Sequence, residues 1–170
     1  MQKEIQTLTY YNAISKGYSK LYHEEQIQKI ISFKEYIPRK GMILDLGCGD
    51  GVLNSFLEHE VRLVSLDISM ELLELNSNKI KILANASNMP FKNDVFDAII
   101  ALTSMQDMPK PKEVIREMYK KLKYEGILIV SFLNIATYYN LIIEELNLHF
   151  KIVKKVEEEK DTIYILQKTS

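Results

Sequence analysis

The chain has 170 residues, of which 46% are hydrophobic and 26% charged, and its formal net charge is −1. These proportions suit one globular domain with a sizeable core and exclude a globally basic nucleic-acid binder. One cysteine, Cys48, rules out an intrachain disulfide, and His23, His59 and His149 are too scattered for a metal site. No apolar run approaches the roughly 18 residues of a membrane helix and no signal-like core follows Met1, so a cytoplasmic protein without a membrane partner is expected.

Residues 10 to 37 carry Ile14, Ile27, Ile30, Ile31 and Ile37 at helical spacing, and Pro38 to Gly41 ends that segment. A strand is predicted over 42–46. A helix with Val52, Leu53, Phe56 and Leu57 on one face follows, and a second strand from Val61 to Leu66 ends at Asp67. Ser69 is placed to cap a helix running to about Ser77. Further strands are predicted at 80–83 and, with nearly continuous apolar character, at 96–102. Residues 112–122 place Val114, Ile115, Met118 and Leu122 on one helical face, and 123–126 turn the chain into a strand at 127–132. A helix over about 135–147 and a hairpin of 150–157 with 162–168 close the chain. Strands alternating with helices predict an α/β fold, a doubly wound parallel sheet with helices on both faces.

The densest signal is Met42-Ile43-Leu44-Asp45-Leu46-Gly47-Cys48-Gly49-Asp50-Gly51, a buried strand that breaks into alternating glycines. Glycines permit positive φ and let a ligand lie against bare backbone. The dinucleotide fingerprint G-x-G-x-x-G fails here, because Val52 stands where its third glycine belongs. Asp45 and Asp50 bracket the loop and would repel a pyrophosphate, so a cationic ligand fits better. Asp67 ends the second strand about twenty residues on, where a doubly wound fold presents a carboxylate to a ribose diol; read alone, it is a turn or capping aspartate.

The segment D-L-G-C-G-D-G closely resembles the first motif of class I S-adenosylmethionine-dependent methyltransferases, of the generic type found in quinone biosynthesis and wobble-uridine methyl-ester formation. The resemblance runs over about residues 40 to 168 and implies a seven-stranded, mostly parallel sheet with an antiparallel C-terminal strand. It also implies S-adenosyl-L-methionine as cofactor, S-adenosyl-L-homocysteine as product, and Asp45, Gly47, Cys48 and Gly49 along the cofactor. Ile68 would lie against the adenine. Ala84 to Phe91 is similar to the family's G-D-A-x-x-L-P-F segment, with Asn85 in place of the acid, so that the Asn85 amide and Ala86 would recognise adenine with a neutral partner.

Asn93 to Leu102 resembles the approach to the fourth strand, whose end, Leu102, faces the methyl group in this family. Beyond it stands Thr103-Ser104-Met105-Gln106-Asp107-Met108-Pro109, where neither the N-P-P-Y of amino-methylating enzymes nor the two histidines of H-H-x-x-D-P are present. Methyl transfer is mainly a matter of alignment. Gln106 is the candidate to orient an acceptor and Asp107 the candidate base, with a plain turn role as the other reading of Asp107.

Tyr11, Tyr18 and Tyr22 resemble the aromatic-rich N-terminal helix of related enzymes, so residues 1–40 are expected to form a lid and 41–170 the cofactor-binding domain, with Tyr18 over the methionine end of the cofactor. Ser131 to Asn134 leaves no room for a capping insertion, which implies an open site for an RNA, protein or small-molecule acceptor, or a site completed by a partner subunit. Lys110, Lys112, Arg116, Lys120, Lys121 and Lys123 crowd one segment, either as a solvated helix face or as an RNA-binding surface. The other functional reading is a cofactor-binding scaffold subunit without catalysis.

Overall fold

The computed structural model describes residues 20–169. In chain order it contains α1 (Lys20–Phe33), β1 (Gly41–Leu46), β2 (Val61–Asp67), α2 (Met70–Leu75), β3 (Lys81–Leu83), β4 (Phe96–Leu102), α3 (Pro111–Lys121), β5 (Leu122–Leu133), α4 (Tyr139–His149), β6 (Phe150–Glu157) and β7 (Asp161–Lys168). The seven strands form one sheet in the order β3-β2-β1-β4-β5-β7-β6. The first five run parallel and β7 is antiparallel to both β5 and β6. The expected α/β architecture is therefore present, including the antiparallel C-terminal strand.

Alternation along the strands builds two cores. Leu44 and Leu46 of β1 face one side with Val114, Ile115 and Met118 of α3 and Ile142 and Leu146 of α4. Ile43 faces the other side with Ile30 and Phe33 of α1 and Leu53. Adjacent residues of a strand point to opposite faces, so the continuous apolar runs of β1, β4 and β5 follow from a sheet covered on both sides. Full burial of Phe33 alone is worth about 1.5–3 kcal/mol and ties α1 to the sheet.

Three elements differ from expectation. The helix predicted after the glycine loop is only a short 3-10 turn, Val52–Phe56. The glycines occupy residues 47 to 51 and β2 begins at Val61, which leaves too little chain for a longer helix and its return. β5 starts at Leu122, directly after α3, with a register shift between Phe96 and Ala98. The turn there is made by Glu125 at φ 59°, while Gly126 packs tightly, a Cβ on it meeting Leu122 at 2.8 Å. α4 begins four residues late, because residues 134–138 first form two turns, Ala136 N–H to Leu133 O and Tyr139 N–H to Ala136 O.

Tyr11 and Tyr18 lie outside the described residues, and Tyr22 falls in α1. No described helix is long and apolar enough to cross a membrane.

Candidate active site

A cavity of about 1190 Å³, counting its open mouth, lies at the C-terminal ends of β1, β2 and β4. Doubly wound sheets bind ligands there because the connections on either side of a switch in strand order diverge. Its walls include Asp45, Gly47, Cys48 and Gly49 from the glycine loop, Asp67 and Ile68 from the end of β2, Asn85 and Ala86 after β3, and Leu102 and Asp107 after β4. Every cofactor residue expected from the sequence and described by the structure is thus brought to one cavity.

The loop is held open by backbone geometry. Gly47 and Gly49 have φ of 70° and 51°, in the left-handed region that side-chain-bearing residues avoid. A Cβ on Gly47 would lie 2.7 Å from Ser104 Cβ, whereas one on Gly49 would meet no atom within 4 Å. Gly47 is therefore needed for packing and Gly49 for the free ground above it. Gly47 N–H and Cys48 N–H both donate to Leu66 O, at 2.8 and 3.1 Å, which fastens the loop to β2.

Asp67 accepts from Gly49 N–H and from Ser69 N–H, each at 2.9 Å. It thus holds the loop's second glycine and retains lone pairs for a diol. Ser69 caps α2, its hydroxyl accepting from Leu72 N–H. Burial, reinforced by the charges of Asp67 and Asp50, raises Asp45 from its ordinary 3.8 to about 8. Burial also raises Asp67, against the lowering effect of its backbone donors. The Cys48 thiol is pushed up by burial and by the charges of Asp45 and Asp67, so it stays protonated and is no nucleophile. Two buried carboxylates at elevated values form a site that favours a cationic, donor-rich ligand.

Two expectations change. Asn85 Oδ1 accepts from Ser87 N–H and from Ser87 Oγ–H, both at 2.9 Å, so its carbonyl closes a local turn instead of facing an adenine amino group. The backbone donor fixes which end of the amide is the oxygen. Gln106 is not on the cavity wall; its Oε1 accepts from Leu133 N–H at 3.1 Å and tethers the turn Met105–Asp107 to the end of β5. Asp107, from the same turn, does reach the cavity.

Sequence reading missed Asn76, His23, Gln26 and Thr103. Asn76, buried at the end of α2, places its amide 3.4 Å from both Cys48 Sγ and Gly49 O and so braces the loop from behind. His23 and Gln26 come from α1 and line the cavity. Thr103 is held at φ 49°, unusual for a β-branched residue, by a buried polar knot. Its Oγ1 accepts from Gln26 Nε2 at 3.2 Å and Lys29 Nζ at 3.0 Å, and Lys29 is paired with Asp161. Its N–H donates to Ser131 at 2.9 Å. Only the long-range approach of α1, β4, β5 and β7 creates this knot, and no local pattern signals it.

The cations of the segment 110–123 are all paired. Lys112 and Arg116 meet Glu145, Lys120 and Lys121 meet Glu117, Lys110 meets Glu113 and Lys123 meets Asp97, all within 3.7 Å. Glu145 and Glu117 each serve two of these cations, so six positive groups face four carboxylates and the segment stays basic while its pairs are partly exposed. Among the described residues no group of three or more His, Cys, Asp or Glu is placed to hold a metal ion.

Sheet order, glycine loop and the acid ending β2 together define the class I adenosyl-binding methyltransferase fold. The family model described as "Methyltransferase domain" matches residues 44–130, half of the chain, and the chain belongs to that family of S-adenosylmethionine-dependent enzymes. The uncharacterized protein MJ1252 of Methanocaldococcus jannaschii is 34% identical over 161 residues, covering 91% of this chain and 62% of that protein. The chain thus spans less than two thirds of that relative's length. A tRNA (carboxymethyluridine(34)-5-O)-methyltransferase of Arabidopsis thaliana is 28% identical over 108 residues, 61% of this chain and 26% of that one. Among solved structures, the N-methyltransferase NodS of Bradyrhizobium japonicum in complex with S-adenosyl-L-homocysteine superposes with a TM-score of 0.81 at 14% identity, over 96% of this chain and 99% of that one; the fold is shared.

Proposed function

We propose that this chain is an S-adenosylmethionine-dependent methyltransferase acting in the cytoplasm. The observation that carries this reading is the left-handed glycine loop, open above Gly49, facing the buried carboxylates of Asp45 and Asp67. When bound, the cofactor supplies an electrophilic methyl group on a sulfonium. Asp67 would accept the ribose hydroxyls, Ile68 and Ala86 would give apolar area to the ring, and Asn85 would turn its NH₂, not its carbonyl, toward a ring nitrogen. Asp45 would face the cationic end of the ligand, where a charge partner offsets its burial. Leu102 and Thr103, at the end of β4, form the wall past which an acceptor reaches the methyl.

Asp107 would take a proton from an acceptor that must lose one before attack. Gln106 would act at one remove, by keeping that turn in place. Each cation of 110–123 has a carboxylate partner, which supports the reading of that segment as a solvated surface, and nothing in the site favours the scaffold reading. Isothermal calorimetry with S-adenosylmethionine, S-adenosylhomocysteine and NAD tests the proposal: the first two bind at one site and NAD does not. Binding of NAD alone, or of none, refutes it.

A further inference from the structure

The two ends of the cavity differ in chemistry. Asp67 and Asn85 mark the adenosine end over β2 and β3, which leaves the β4 end, bounded by α1 and the 103–110 segment, for the acceptor. At that end Gln26 is 6% exposed and lines the cavity. Its Nε2 is committed to Thr103 Oγ1, which fixes the amide plane, and among the described residues none donates to its Oε1. Since no buried side-chain oxygen among the described residues lacks a partner, this oxygen is reachable from the cavity, and with its amide plane fixed it can accept from an N–H or O–H donor.

The surrounding charges narrow the donor. Asp50 and Asp107 stand on the cavity wall, while burial of Asp45 and Asp67 favours their protonated forms. Against them stand Lys110, 3.3 Å from Glu113, and His23, 3.8 Å from Asp50. Lys29, the cation behind Thr103, is matched by Asp161. An anionic acceptor would enter a field of its own sign, whereas a cation gains from it.

We propose that the methyl acceptor is a basic amine, whose N–H groups are held by the Gln26 side-chain carbonyl. This rests on the methyltransferase reading above. The acceptor ammonium first gives a proton to the Asp107 carboxylate. The freed nitrogen pair then forms the N–C bond as the C–S bond breaks, and the electron pair of that bond stays on sulfur, leaving a neutral thioether. Methylated ammonium is the product, and Asp107 passes its proton to water.

The test supplies methyl-labelled S-adenosylmethionine to the purified chain with four acceptor pools. These are a cell extract's small molecules retained on a cation exchanger, those retained on an anion exchanger, total RNA, and total protein hydrolysed after reaction. Label in the cation-retained pool identifies a small amine, and label recovered as methyl-lysine identifies a protein amine; either supports the proposal. With calorimetry showing that the cofactor binds, label confined to anions, RNA or other protein residues overturns it, as does label in no pool. Failure of cofactor binding overturns instead the reading beneath it. Gln26→Met and Gln26→Glu then report on the contact. Gln26→Met raises KM for the amine about tenfold with cofactor affinity unchanged, while loss of the Thr103 contact lowers Tm, and Gln26→Glu, which keeps an acceptor oxygen, restores KM. Equal KM in wild type and Gln26→Met removes Gln26 from the proposal.

Discussion

Asp45→Asn separates the role of charge at the glycine loop from its role in folding. Burial raises Asp45 from 3.8 to about 8, so between those values the native chain holds a proton that the unfolded chain has released. Stability then falls as pH rises through this window, because the native state binds more protons than the unfolded one. Taken to pH 8, the difference amounts to roughly 5 kcal/mol as a ceiling, and to about half of that once water entering the open cavity screens the charge. Asparagine is neutral throughout. Ligand-free Asp45→Asn should therefore melt higher than wild type at pH 8, by roughly 5–10 °C at about 2–4 °C per kcal/mol, with the gap closing toward pH 5. The same variant should bind S-adenosylmethionine at least tenfold more weakly, while S-adenosylhomocysteine, which lacks the sulfonium charge, loses less. Scanning calorimetry from pH 5 to 8.5 with titrations at pH 8 reads both. A Tm gap independent of pH, or equal losses for the two ligands, would refute the electrostatic account.

Three further outcomes follow from the geometry. Asp67→Ala removes acceptors for the diol and the anchor of Gly49 N–H, and should cost about 1.5–3 kcal/mol of cofactor affinity by calorimetry. Gly49→Ala should lower stability by only about 1–2 kcal/mol, the cost of a left-handed alanine, yet abolish measurable cofactor binding, because its Cβ projects into the ground above the loop. Gly47→Ala, meeting Ser104 at 2.7 Å, should lose more stability, and the reverse ranking in denaturant melts would count against the assignment. Lys29→Met or Asp161→Leu alone should cost about 3–5 kcal/mol by leaving a buried charge unpaired, and the double variant should recover most of it in a double-mutant cycle.

Several parts of the site could be read from the chain because they are local. The run from Met42 to Gly51 carries its own instructions: apolar residues for a strand covered on both faces, then glycines for a loop whose backbone must adopt positive φ. Asp67 was legible from its distance to that loop, since one crossover separates the ends of adjacent parallel strands in this fold. Ser69 was legible as a cap for the same reason, its partner Leu72 being three residues away. The hairpin of β6 and β7 showed in two strand-like runs on either side of the polar turn Glu159-Lys160-Asp161.

What only the tertiary structure decided depends on residues far apart in sequence. Asn85 looked like an acceptor for adenine until Ser87 was seen to occupy its carbonyl, and Gln106 looked catalytic until Leu133, 27 residues on, was found to hold its oxygen. The basic segment 110–123 reads as a charged stripe in sequence, and folding pairs it with Glu145 of α4 and Asp97 of β4. Gln26 and Thr103, 77 residues apart, meet because α1 packs across the ends of the strands. Backbone conformation is set by short-range sterics that a sequence displays directly, so the cofactor loop was visible in it. The far wall of the cavity is set by which distant polar groups satisfy one another when buried, and that required the assembled sheet.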